Sequence, residues 1–305
     1  MNPLRPLLSF ARPHRGVLVR GVVFSCLLVA ARLALPLPLT AVVGRASSGH
    51  EGTVPAAVLS AAFVGLALVA GLAEHQQRLS FAHFAGRTIT DVRDAAMVRV
   101  QRDGGDPSGD LTAQVVGDAL RTKQGLKGVL NHITVNGLLV VGVCVALAVT
   151  DVRLGLVQLA GALLLLVVAV FGAARVGIVS AEHRDREVSM ARTVHRLAGA
   201  PGPVDGDTLT VLRDIDAESG DADVAMTRGE GLTTWAVHGV LVVSGAAVLI
   251  LGLHEVRLGQ LTAAGLFGVM AYLLVLHGPA IRFARQIVRT APLLVSARHL
   301  ALTTR

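Results

Sequence analysis

Six long apolar runs constrain this chain more than any other feature of its sequence. They are Gly16–Val43, Val54–Ala73, Leu130–Val149, Leu154–Gly172, Thr233–Leu253 and Leu261–Pro279. Each can cross about 30 Å of hydrocarbon at a rise of about 1.5 Å per residue. The bilayer core offers no water to backbone groups, so a spanning segment must be a helix or part of a closed barrel. A barrel strand alternates apolar and polar residues. Runs such as LLVVGVCVALAV and ALLLLVVAVF do not alternate. The expected fold is therefore an all-α membrane protein with six transmembrane helices.

Charge agrees with that reading. Charged residues are 16% of the chain, where a soluble domain holds about a quarter. The connections after the first, third and fifth runs are short and carry one cation each, Arg45, Arg153 and Arg257. Arg32 lies within the first run, and the remaining Lys and Arg residues, including Arg20 near that run's inner end, lie on the other side. The positive-inside rule then puts both termini and both long connections in the cytoplasm of a bacterial inner membrane. The net charge of +7 describes a face near anionic lipid. Aromatics are only 3% of the residues, so nothing stacks beside the cations and no nucleic-acid partner is expected. The first run is too long for a signal-peptide core of about 7–15 residues, so we expect it to be retained. Residues 1–15, MNPLRPLLSFARPHR, mix Leu and Phe with Arg and His, as an interfacial anchoring helix does. Cys26 and Cys144 fall inside runs at different depths and are expected to be buried thiols.

The long connections, Glu74–Val129 and Ala173–Leu232, carry a helical pattern of their own. In the first, Phe81, Phe84, Ile89, Val92 and Ala96 recur at helical spacing among Arg and Asp. Breakers cluster at one place in each connection. In the first these are Asp103, Gly104, Gly105, Asp106, Pro107, Ser108, Gly109 and Asp110. In the second they are Gly199, Ala200, Pro201, Gly202, Pro203, Val204, Asp205, Gly206 and Asp207. The spans are thus expected to continue about 25–35 Å into the cytoplasm as helix pairs that turn at these corners.

At this point the sequence resembles the transmembrane domain of ABC exporters, the six-helix type with long intracellular extensions. Gly259, Leu261, Thr262, Tyr272 and Pro279 match the G-x-L-T, Tyr and Pro of that family's sixth span. Arg87, Asp91 and Arg93 match its R-x-x-x-D-x-R, and Gly109, Asp110, Leu111 and Asp118 its G-D-L with a later Asp. RPLLSFARPHRG resembles its elbow helix. The resemblance implies an elbow at 1–15, a six-helix domain at 16–290, and a tail at 291–305 where a linker to a nucleotide-binding domain begins. It also implies a second six-helix unit, with the fourth and fifth spans crossing to it, and two corners docked on an ATPase. Two positions depart from the family. The first corner lacks the usual docking aromatics, and Gln114 stands where Arg is common.

A phosphate-binding P-loop requires G-x-x-x-x-G-K-[ST]. The two lysines, Lys123 and Lys127, are followed by Gln124 and Gly128, so neither belongs to one. The expected function is that of a permease subunit that is not itself an enzyme and binds no cofactor. ATP and Mg would sit on a separate nucleotide-binding subunit. A non-transporting scaffold derived from an exporter is the alternative, favoured by the polar first corner. A secondary transporter is disfavoured, because the spans contain no Asp or Glu. Glu182, His183 and Asp185 lack metal-site spacing, so no metal is expected.

Polar residues inside spans are costly and turn towards a cavity or one another. By helical rise Asn136, His238 and His277 lie about 21, 24 and 22 Å from the outer ends of their spans. They are expected to line the inner substrate path, with the histidines conferring pH sensitivity. Arg32 is a fourth candidate, positioned to snorkel outward along its own helix.

Overall fold

The computed structural model describes residues 9–48, 56–102, 110–198 and 206–303. Among them the chain is 97% helical, with no strand. A 3-10 turn at Arg12–His14 leads into α1 (Arg15–Ala34) and α2 (Pro36–Ser48). Then follow α3 (Ala56–Arg102), α4 (Asp110–Thr150), α5 (Val152–Ala198), α6 (Gly206–Arg257) and α7 (Ala263–Thr303). Six helical segments are long and apolar enough to cross a membrane, with α1 and α2 sharing the first. The break between those two falls where Pro36 follows Leu35, since proline has no N–H to continue the ladder.

The short connections are fixed by side chains that complete the helix ends. Asp151 accepts hydrogen bonds from the backbone N–H groups of Arg153 (2.7 Å) and Leu154 (3.3 Å), capping α5. Thr262 caps α7 by accepting from the N–H of Gly265 at 3.0 Å. Between them α6 ends in a Schellman turn. Gly259 has φ +72, its N–H donates to the carbonyl of Val256, and the N–H of Gln260 donates to that of Glu255. The G-x-L-T signature is therefore one helix stop followed directly by a helix start.

α3 to α6 are 47, 41, 47 and 52 residues long. A 52-residue helix measures about 78 Å, well over twice the hydrocarbon thickness. The helices run alternately up and down, so the corners after α3 and α5 share the end of the bundle opposite the short connections. We call that end the extension end. The stripe read from sequence is buried along α3, with Phe81, Phe84, Ile89, Val92 and Ala96 all under 5% exposed. Ile89, Val92 and Ala96 pack with Ala119 of α4.

The main core joins α4, α5, α6 and α7 through Val143, Leu147, Leu165, Val248 and Leu276. A second joins α1, α3 and α4 through Leu28, Val29, Ala73 and Leu139. Small residues let α5 and α6 approach closely, as in membrane bundles generally. A methyl group added at Gly161 would lie 2.6 Å from Cβ of Ser244, and one at Gly172 would overlap Thr233. The outward faces remain strongly apolar, with Trp235 77% and Leu274 79% exposed. Lipid is the solvent that suits such a surface.

One expectation is revised. Cys144 is buried, but Cys26 is exposed on the outer side of α1, where a small apolar thiol faces lipid as readily as protein. The fourth and fifth spans also pack on α7 of their own chain. This contact runs down to an ion pair between Arg289 Nη2 and Glu230 Oε2 at 3.2 Å.

Candidate functional site

The concentration of polar side chains inside the bundle lies where α1, α3, α4 and α7 meet. They surround a cavity of about 360 Å³ lined by Arg32, Glu74, Gln77, Arg78, Asn131, His132, Asn136 and Arg282, with Leu28 and Val135. α3 contributes Glu74, Gln77 and Arg78, which share one face at i, i+3 and i+4. α4 contributes Asn131, His132 and Asn136, of which His132 and Asn136 are one helical turn apart.

Glu74 is the electrostatic centre of this group. Its Oε2 accepts a hydrogen bond from Arg32 Nη2 at 2.8 Å, and its Oε1 accepts from Arg78 Nη2. Gln77, 2% exposed, donates from Nε2 to Asn131 Oδ1 at 3.1 Å. Asn136 is 3% exposed, and its amide nitrogen has no hydrogen-bond partner. Three guanidiniums thus face one carboxylate, leaving an excess of two positive charges. Such a cavity attracts anions and repels cations.

The histidines form a separate group. His238 on α6 and His277 on α7 meet edge to face, with ring centroids 5.8 Å apart. His238 Nδ1 is 2.8 Å from the carbonyl of Thr234, one turn earlier. His277 also lines a second cavity, of about 540 Å³, between α2, α5, α6 and α7. That cavity is mostly apolar, with Gln158 and Ser244 as its other polar lining residues. Gln158 is 2% exposed and its Oε1 has no partner.

The four residues expected on one path therefore fall into two pairs. Arg32 and Asn136 line the first cavity, His238 and His277 stand together beside the second, and the two cavities share no lining residue. Nor does Arg32 snorkel along its own helix. It is held by the Glu74 carboxylate on the neighbouring helix, since a desolvated guanidinium takes a strong acceptor within reach. Of the corner residues, Asp103 to Gly109 and Gly199 to Asp205 lie outside the described residues. Asp110 opens α4, and Gly206 and Asp207 open α6.

Sequence reasoning missed Glu74, Gln77, Asn131 and Arg282. Glu74 directly follows the second apolar run and Arg282 lies just beyond the sixth, so by sequence both read as part of the aqueous extensions. Their depth relative to Asn136 was the signal available. Glu255 was missed in the same way. It lies two residues past the end of the fifth run, is 1% exposed, and accepts from Arg153 at 2.8 Å. Among the described residues no three His, Cys, Asp or Glu side chains are grouped to hold a metal ion. The chain matches no protein-family model, and no curated protein matches it.

Proposed function

We propose that this chain is the membrane-spanning permease subunit of an ATP-driven exporter of the ABC type. It moves its substrate by alternating access and is powered by a nucleotide-binding subunit on another chain. The observation that carries this reading is helix length. α3 to α6 run unbroken for 41 to 52 residues, where about 20 suffice to cross a membrane. Helices of that length deliver both corners to the same end of the bundle, tens of ångströms beyond the lipid. An ATPase that closes there moves rigid levers whose far ends border the two cavities. ATP and Mg belong to that subunit, and this chain supplies no catalytic group and binds no cofactor.

The reading also includes a second six-helix unit and a bacterial inner membrane, with both termini in the cytoplasm. The second unit meets the exposed apolar faces of α5 and α6, which carry Phe171, Ile178 and Trp235. Exchange of α5 and α6 between units would require them to part from α7 below His277.

Co-expression with candidate nucleotide-binding subunits, followed by purification on a tag of this chain, tests the proposal. The expected result is a complex whose ATPase is stimulated by this chain. Replacing residues 199–207 by a Gly/Ser linker should abolish the stimulation. A complex that forms and hydrolyses ATP without moving any substrate would instead favour the scaffold reading, to which the polar first corner points.

A further inference from the structure

The cavity between α1, α3, α4 and α7 carries more positive charge and more unused donors than its own side chains satisfy. Glu74 is occupied by Arg32 and Arg78. Arg282, the third guanidinium, makes no hydrogen bond or ion pair among the described residues. Asn136 is almost fully buried, yet its amide nitrogen is unpaired. A network that served only to join the helices would balance its charges and satisfy its buried donors. This one leaves two positive charges and a buried amide directed to a shared space of about 360 Å³.

We propose that this cavity binds the phosphate group of an anionic ligand. A phosphate carries up to two negative charges near neutral pH, which matches the excess. Its oxygens accept from planar guanidinium forks, which suit phosphate better than point-like ammonium groups do. Arg282, Arg78 and the Asn136 amide supply donors from three helices. Glu74 holds Arg32 in place and keeps the site from being cationic enough to trap its ligand. Glu74 lies about 27 Å from the start of α3 by helical rise, towards the extension end of its span. A phosphate can reach that level from a lipid headgroup in the same leaflet or from solution at the extension end. The inference deepens the transporter reading by naming the chemistry of a substrate or bound lipid.

The test measures binding to the full chain in nanodiscs, with no ATPase present. In phosphatidylcholine nanodiscs, inorganic phosphate is titrated against chloride at matched ionic strength, with melting as the readout. In parallel, nanodiscs containing phosphatidic acid are compared with phosphatidylcholine alone, with retained lipid counted by native mass spectrometry. Stabilisation by inorganic phosphate assigns a soluble ligand, and stabilisation by phosphatidic acid alone assigns a lipid headgroup. Either result supports the proposal. Arg282→Gln should weaken binding about tenfold or more, the loss of one charge-assisted contact, while Arg282→Lys retains most of it. Asn136→Asp, which keeps the side-chain volume and adds a negative charge, should weaken binding as well. Arg282 is at the exposed mouth of the cavity, so its variants keep the fold even where Asn136→Asp does not. No stabilisation in either arm, or wild-type binding by Arg282→Gln, overturns the proposal. Phosphate binding by a chain that recruits no ATPase would sink the transporter reading and leave this inference standing.

Discussion

Arg153 and Glu255 tie the start of α5 to the end of α6, and their unequal exposure makes the contact a sharp test of the fold. The carboxylate is 1% exposed and the guanidinium 63%, with Nη1 and Oε1 2.8 Å apart. The other carboxylate oxygen, Oε2, has no partner. Arg153→Ala therefore removes the side-chain donor to a buried negative charge. Losing one partner of a fully buried pair costs about 3–5 kcal/mol. Water screens this guanidinium, so the loss should approach that of one charge-assisted hydrogen bond, about 2 kcal/mol. Glu255→Met, which fills similar volume without charge, should change stability by less than about 1 kcal/mol, since apolar replacement of buried ionic groups is often neutral. In the Glu255→Met background Arg153→Ala should then cost almost nothing. Unfolding of the purified chain in mixed micelles gives the four free energies of this double-mutant cycle, with an expected coupling of about 2 kcal/mol. An equal cost of Arg153→Ala in both backgrounds would show that Arg153 acts through something other than Glu255.

Two further outcomes follow from particular residues. Gly259→Ala places a Cβ at φ +72 and should destabilise the chain by about 1 kcal/mol, whereas Gly259→Asn, which tolerates that conformation, should cost less; equal stability of the three would remove the Schellman turn as the reason for glycine. The double variant His238→Leu/His277→Leu should lower substrate-stimulated ATPase of the reconstituted complex while melting changes by the equivalent of about 1 kcal/mol or less per residue. Lowered melting with unchanged transport would instead make the pair interhelical glue.

Much of this architecture was legible in the order of the residues. The apolar runs fixed the number of spans, because a bilayer core accepts helices of that length and little else. The stripe of Phe81, Phe84, Ile89, Val92 and Ala96 announced that α3 continues as a packed helix beyond the lipid, since period and burial are properties of the helix itself. Gly259 and Thr262 stand in the sequence only as a family signature, and the structure gives its physical reason, a helix stop followed by a helix start.

Side-chain partnership across helices was not legible in that way. Helical rise gave similar depths to Asn136, His238 and His277, but depth along an axis says nothing of which neighbour each face meets. The rotation and neighbour order of the helices put the two histidines together and turned Asn136 towards Arg32 and Arg282. Glu74 and Glu255 read as aqueous residues because each lies just past the end of an apolar run. Only the packed bundle shows that a neighbouring helix covers Glu255 and that Arg32 reaches Glu74 from another helix. Sequence determined what each segment is, through short-range sterics and solvation. Tertiary structure decided which charges meet, because that depends on contacts between residues far apart in the chain.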